Sequence, residues 1–199
     1  MLKLLNIEKS YGNNVILSNS TLEINNGGIY ILQGKNGSGK STIIKIITGL
    51  IYKTSGIIEK DISISYLPDK YNMPKLMNVK KYIEHIIYMS SSNKSDEYLL
   101  NLYQIPNKRI GELSKGNQQK LGILQTFLLD ADCYILDEPL DGLDDFAKKL
   151  LKRNIIEKLE ANKIILMSLH NKTYFNDLKP TIFEIKDGIL YEKRKKVQA

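Results

Sequence analysis

The stretch Gly34-Lys35-Asn36-Gly37-Ser38-Gly39-Lys40-Ser41-Thr42 constrains this 199-residue chain more than any other. It fits the pattern Gly-x-x-x-x-Gly-Lys-Ser/Thr, the phosphate-binding P-loop. The apolar run Ile29-Tyr30-Ile31-Leu32 predicts a buried strand leading in, and Thr42 to Ile47 predicts a helix leading out. The residue types have a chemical reason. Gly34, Gly37 and Gly39 lack a Cβ, so the backbone there is expected to take positive φ and turn its N–H groups around phosphate oxygens. The helix that follows aims the positive end of its dipole at the same anion. Lys40 is the expected partner of the β- and γ-phosphates, and the Ser41 hydroxyl of Mg²⁺, while Asn36, Ser38 and Thr42 complete the nucleotide-binding loop. A glycine-rich turn that bound nothing would not need the strand, the helix and the Lys-Ser pair together.

A second constellation is Leu136-Asp137-Glu138-Pro139, behind the apolar run Cys133 to Leu136. Open α/β sheets bind ligands at the carboxyl ends of their strands. Asp137 is therefore a candidate Mg²⁺ ligand, and Glu138 a candidate base for the water that attacks a γ-phosphate. The alternative, an acidic pair that merely starts a helix, fits the residues but not the strand in front of them.

Length and 42% hydrophobic content suit one large domain, or a domain with a small inserted lobe, around a real core. No uninterrupted apolar stretch approaches the roughly 20 residues that span a bilayer. Met1 to Asn6 is too short and too soon polar for a signal peptide. The single cysteine, Cys133, excludes an internal disulfide and is expected to be a buried thiol in a reducing cytosol. A net charge of +7 suits nucleic acid, an anionic membrane surface or nucleotide phosphates equally. Its densest cluster, Lys193-Arg194-Lys195-Lys196, reads as a solvated tail or as a contact with the anionic cytoplasmic leaflet.

Along the chain, Leu2–Lys9 and Val15–Ile24 partly alternate, with turn signals at Tyr11 to Asn14 and at Asn25 to Gly28, which predicts an antiparallel β region. Gly49 is the expected stop of the helix after the P-loop. Ser55-Gly56 then opens one short β stretch through Ile57-Ile58 and on from Ile62 to Leu67, closed by Pro68. Between about Leu76 and Gln104 the apolar residues recur at three- and four-residue spacing, interrupted by a polar loop, with Ser95 an expected N-cap. This predicts an inserted α-helical lobe over about 71–110, with the α/β core in about 1–70 and 111–199. Further on come a helix from about Gly116, the strand Cys133 to Leu136, a helix marked by Phe146, Leu150, Leu151, Ile155 and Leu159, the strand Lys163 to Met167, a short helix, and a hairpin turning at Asp187-Gly188.

Taken together, Gly34 to Thr42, Leu113-Ser114-Lys115-Gly116-Asn117-Gln118-Gln119, Ile135 to Pro139, Leu140-Asp141-Gly142-Leu143-Asp144 and Ser168-Leu169-His170 resemble the ATP-binding cassette (ABC) ATPases in order and spacing, over essentially the whole chain. The stretch around Leu113 is the specific part, because other P-loop families lack it. The resemblance implies a P-loop NTPase core, α/β with a mainly parallel sheet and flanking helices, an N-terminal antiparallel β subdomain and an inserted α-helical subdomain. It implies ATP and Mg²⁺ held between two cassettes, each nucleotide lying between one P-loop and the other subunit's signature, and an integral membrane transporter subunit as partner. Tyr11 resembles the aromatic that stacks on adenine. Ser114, Gly116 and Asn117 would contact the nucleotide held by the second subunit, His170 would hydrogen-bond the γ-phosphate, and Asp144 resembles the aspartate that connects the two active sites. Lys40, Glu138 and His170 are thus the implied catalytic set, on the cytoplasmic face of a membrane, with nucleic acid not expected as a partner.

Four positions depart from the family pattern. In the signature, Lys115 replaces a glycine and Asn117 a longer amide, and Asp141 replaces a small residue. Asp69 stands where the family has a glutamine that senses Mg²⁺; a carboxylate there is a further candidate metal ligand, and resembles a subset of exporter-type cassettes. Two other classes share parts of this pattern. Asn93-Lys94-Ser95-Asp96 matches a guanine-recognition motif but follows a polar stretch rather than an apolar strand. An ABC ATPase acting on DNA or ribosomes would call for long heptad repeats or a second P-loop, and the sequence has neither.

Overall fold

The computed structural model describes residues 1–90, 92–171 and 173–193. Arg194, Lys195 and Lys196 of the basic cluster lie outside the described residues; Lys193 pairs with Glu184 at 3.0 Å.

Two sheets organise the chain. Strands β1 (Leu2–Tyr11), β2 (Asn14–Ile24) and β4 (Ser55–Lys60) form an antiparallel sheet in the order β2-β1-β4. The six-stranded sheet runs β5-β6-β7-β3-β8-β9, built from β3 (Gly28–Gln33), β5 (Ile64–Leu67), β6 (Cys133–Asp137), β7 (Ile164–Leu169), β8 (Thr181–Lys186) and β9 (Ile189–Glu192). Its first five strands are parallel and β9 closes it antiparallel. The predicted hairpin turn is present, with Asp187 and Gly188 both at positive φ, 51° and 75°. That pair of left-handed residues is what a tight hairpin twist demands.

The Ser55 to Leu67 segment corrects the expectation of one β stretch. Ser55–Lys60 pairs with β1 in the antiparallel sheet, whereas Ile64–Leu67 pairs with β6 in the parallel one. Asp61 to Ser63 is the crossing between them. Apolar pattern alone cannot separate two strands that continue one another in sequence but hydrogen-bond to different partners.

The parallel sheet is buried on both faces, so its strands are almost wholly apolar. Alternation sorts their side chains. On β6, Cys133 and Ile135 join a core with Leu32, Leu166 and the helix α1 (Lys40–Thr48), roofed by Leu2, Leu4, Leu17 and Leu22 of the antiparallel sheet. Tyr134 and Leu136 face the other way, into a core with Ile29, Ile31, Ile165 and Met167. Helices α4 (Lys115–Leu128) and α5 (Asp145–Glu160) cover that second core, with α2 (Val79–Ser90) and α3 (Asp96–Tyr103) packed on α4. Truncating Ile135 to Ala would leave a cavity at a fully buried site and cost about 2–5 kcal/mol. Cys133 is fully buried, and burial pushes its thiol up to about 12.

Local signals place the helix ends. Gly49 caps α1 at φ 79° and returns its N–H to Ile46 and Lys45, as expected of a left-handed stop. The Ser95 hydroxyl accepts from Tyr98 N and starts α3, so the Asn93 to Asp96 match is a helix start and not a guanine site. No helix among the described residues is long and apolar enough to cross a membrane.

Candidate functional site

The end of β3 and the start of α1 form one wall of a cleft of about 400 Å³, lined by Tyr11, Ile16, Asn36, Gly37, Ser38, Gly39, Lys40, Ser41, Thr42, Glu138 and His170. That volume suits a small-molecule ligand. Three ends of parallel strands meet here, since β3 carries the loop, β6 carries Asp137 and Glu138, and β7 carries Ser168 and ends just before His170.

The loop glycines play different parts. Gly37 and Gly39 take φ of 76° and 107°, the left-handed region open to residues without a Cβ. Gly34 does not, which corrects the expectation for that position. It is required for close approach instead: a Cβ there would lie 2.5 Å from Ser38 Oγ and 2.8 Å from the Ile185 carbonyl oxygen. Gly39 precedes α1 and offers no side chain, so the first-turn amides of the helix receive no side-chain hydrogen bond. Such amides and the dipole behind them are an anion site. Ser38 Oγ is buried there without a hydrogen-bond partner among the described residues.

Lys40, only 6% exposed, folds back over the loop and donates to the carbonyls of Gly34 (3.0 Å) and Lys35 (3.4 Å). Its ammonium also lies 3.5 Å from Glu138 Oε1, and His170 Nε2 approaches the same oxygen at 3.4 Å. Burial raises the Glu138 carboxyl above its ordinary value, with His170 and Lys40 pulling the other way. Glu138 itself adopts φ 48°, strained for a residue with a Cβ.

Ser41 Oγ donates to Asp137 Oδ1 at 3.2 Å, so a hydroxyl and a carboxylate stand side by side. Among the described residues no group of three or more His, Cys, Asp or Glu side chains is placed to hold a metal. A divalent ion here would draw on Ser41, Asp137 and oxygens of a bound phosphate. That donor set fits Mg²⁺, which takes few protein ligands and keeps waters or phosphates.

Asp69 does not line the cleft. It is exposed just beyond β5; burial, then the charge of Asp137 and lastly that of Asp69, push the Tyr66 phenol up to about 12. Beside it, Tyr66, Pro68, Tyr71, Tyr82 and Gln125 line a groove of about 240 Å³. The Tyr71 hydroxyl is buried there without a hydrogen-bond partner among the described residues, and its ring lies where any side chain on Gly122 would collide. Tyr11 is half exposed at the rim of the cleft, with the Lys9 ammonium 4.5 Å from its ring centroid.

Ser114, Gly116 and Asn117 are not in the cleft either. They form the first turn of α4, where Ser114 Oγ accepts from Asn117 N at 3.3 Å. Gly116 abuts the carbonyl of Gly142, Lys115 stretches over Gly142, and Asp144 both caps α5 through Ala147 N (2.7 Å) and pairs with Lys120 (3.3 Å). The signature turn and the Leu140 to Asp144 turn thus make one surface.

Ser168 is the residue whose position sequence reasoning missed. It is fully buried in an otherwise apolar strand and touches both Asp137 and Glu138. One signal pointed to it, a hydroxyl in the run Ile164 to Leu169 two residues before His170.

Residues 17–141 match the family model described as ABC transporter. An uncharacterised ABC transporter ATP-binding protein of Methanocaldococcus jannaschii is 34% identical over 195 residues, covering 94% of this chain and 74% of that one. A cytochrome c biogenesis ATP-binding export protein of Reclinomonas americana is 34% identical over 183 residues, covering 83% and 82%. Zinc import ATP-binding proteins of Rickettsia bellii and Rickettsia conorii are also among the relatives, 33% and 32% identical. In fold, the chain resembles a dimeric ATP-binding cassette in a post-hydrolysis state bound to ADP and Pi, with a TM-score of 0.82 at 23% identity, covering 98% of each chain.

Proposed function

The chain belongs to the ABC transporter family, and from that premise we propose that it is the ATP-binding and ATP-hydrolysing subunit of a transporter, working on the cytoplasmic face of a membrane with a separate membrane-spanning partner and a second ATPase subunit. The observation that carries this reading is that Lys40, Ser41, Asp137, Glu138 and His170 meet in one cleft, while the α4 turn bearing Ser114 and Gly116 lies outside it. The cleft holds the nucleotide of its own subunit; the α4 turn serves the nucleotide of the other.

In this mechanism the first-turn amides of α1 and the loop N–H groups take the phosphates, and Lys40 leaves the Gly34 and Lys35 carbonyls to meet the β- and γ-oxygens. Tyr11 supplies a ring face at the rim for the adenine. Ser41 and Asp137 would hold Mg²⁺, which supplies charge neutralisation to the transferred phosphoryl group. Glu138 takes a proton from water as its oxygen attacks the γ-phosphorus, the β–γ bridging P–O bond breaks and ADP leaves. His170, 3.4 Å from Glu138, orients that carboxylate and hydrogen-bonds the γ-phosphate. ATP thereby closes two subunits and hydrolysis releases them, a population shift set by the greater affinity of the closed state. Helices α2 and α3, as an inserted lobe, pass the movement to the membrane partner at the groove beside Asp69, where the Tyr71 hydroxyl has no hydrogen-bond partner among the described residues.

Transport runs outward in this proposal. Its support is Asp69 at the position after Tyr66-Leu67-Pro68 and the export relative; the zinc import relatives name the competing direction. Accumulation of substrate inside vesicles whose ATP-binding face points outward would support export, and loss from them import. For the core reading the test is Glu138→Gln. With its membrane partner and Mg²⁺ the variant loses turnover and elutes as an ATP-bound dimer; normal hydrolysis by it would remove Glu138 from the role of base.

A further inference from the structure

We infer that Ser168 is a positioning residue that sets both acidic groups of the cleft through a single hydroxyl, an inference resting on the ATPase reading above. The parallel register pairs Asp137 with Ser168, and alternation along β6 and β7 turns both side chains toward the face covered by α1. Ser168 Oγ donates to Asp137 Oδ1 at 2.6 Å and accepts from the Glu138 backbone N–H at 2.9 Å. Its donor and one acceptor site are therefore both used, in a strand where every neighbour is apolar and a hydroxyl without partners would be unfavourable.

The two bonds act on different things. Toward Asp137, Ser168 shares Oδ1 with Ser41, so two hydroxyls hold that one oxygen in place and oppose rotation of the carboxylate about its last torsion. Toward Glu138, the accepted N–H fixes a residue at φ 48°, a left-handed conformation that non-glycine residues hold only when their surroundings impose it. That turn is what swings Glu138 away from the strand direction and over to Lys40 and His170. Without the Ser168 acceptor the peptide is free to relax to negative φ, and the carboxylate leaves the cleft. A hydroxyl that only filled space in the core would need neither bond.

The test compares Ser168→Ala and Ser168→Thr with the wild type in the complete transporter. In Ser168→Ala, kcat for ATP falls on the order of 10- to 100-fold while KM for ATP moves by less than about threefold, as for other supporting contacts that aim a reacting group. Hydrogen exchange at the Glu138 amide, measured on the purified chain without nucleotide or metal, speeds up by at least about tenfold. Ser168→Thr keeps the hydroxyl and holds both quantities near wild type. A kcat within twofold of wild type in Ser168→Ala, unchanged amide protection, or a Thr variant that is folded by its unfolding midpoint yet loses as much as Ala, each overturns the inference. Should the wild-type complex itself fail to hydrolyse ATP, it is the ATPase reading that falls, and Glu138 amide exchange alone then decides the role of Ser168.

Discussion

Helices α1 and α4 both begin in a small-residue turn with a glycine in or beside the first turn, and the chain treats the two ends in opposite ways. The start of α1 follows Gly39, has no side-chain cap, and is surrounded by groups brought from β6 and from beyond β7, with Lys40 bent back across it. The start of α4 follows Ser114, whose hydroxyl already bonds Asn117 N, and its Lys115 stem and Gly116 lie against Gly142. One end is furnished by distant parts of the same chain; the other, among the described residues, is met by the Leu140 to Asp144 turn. A complete site and a half-site are the natural reading of that contrast, and in our proposal the missing half is a second subunit.

The largest effect that tests the contrast is on the furnished side. Lys40→Ala lowers ATP turnover by roughly 10²–10³-fold, the scale of removing one preorganised charge donor from a reacting site, and weakens nucleotide retention; unchanged turnover in a phosphate-release assay would detach Lys40 from the cleft's chemistry. Next comes a mixture. If the complex uses two copies of this chain, Lys40→Ala and Ser114→Arg are each nearly inactive, but combined they regain turnover, since random pairing restores at most about a quarter of the sites. A mixture no better than its components would mean that both helix ends serve the same subunit.

A smaller effect comes from pH. Because burial raises the Glu138 carboxyl, the acid limb of the kcat profile lies above the ordinary carboxylate range, and turnover falls about tenfold per unit below it. The stability sign is opposite: the raised group favours the folded state on the acid side, and that contribution is lost as pH rises through its folded value. A limb at the ordinary value would place the reacting base elsewhere. The smallest is Ser114→Ala, which removes the α4 cap and lowers the unfolding free energy by about 1 kcal/mol; α1 has no equivalent side-chain cap to remove.

Much of this is legible in the sequence, and the reason is local. The Gly34 to Thr42 loop, the Gly49 and Ser95 helix boundaries and the Asp187-Gly188 turn depend on residues adjacent in sequence, so residue type alone specifies them. What escaped depends on register and approach. Gly34 is excluded from bearing a side chain by Ile185, 151 positions away, not by its own φ. Ser168 meets Asp137 only because β6 and β7 pair in one register out of several that their apolar residues would tolerate. Ile64 to Leu67 looked continuous with Ile57-Ile58 because hydrophobicity does not say which strand supplies the hydrogen-bond partners. Position after Pro68 alone suggests a metal ligand at Asp69, but the chain there leaves it exposed near Tyr66 and outside the cleft lining.

Cys133 begins β6, four residues before Asp137, and is the chain's only thiol. Sealed at the bottom of the sheet, it gives the molecule a built-in reporter. A thiol-reactive dye can label it only when the strand bearing the two acidic groups comes loose, so the labelling rate clocks the opening of that strand with nothing engineered in. Slower labelling in the presence of nucleotide would measure directly how tightly ligand locks the central strand in place.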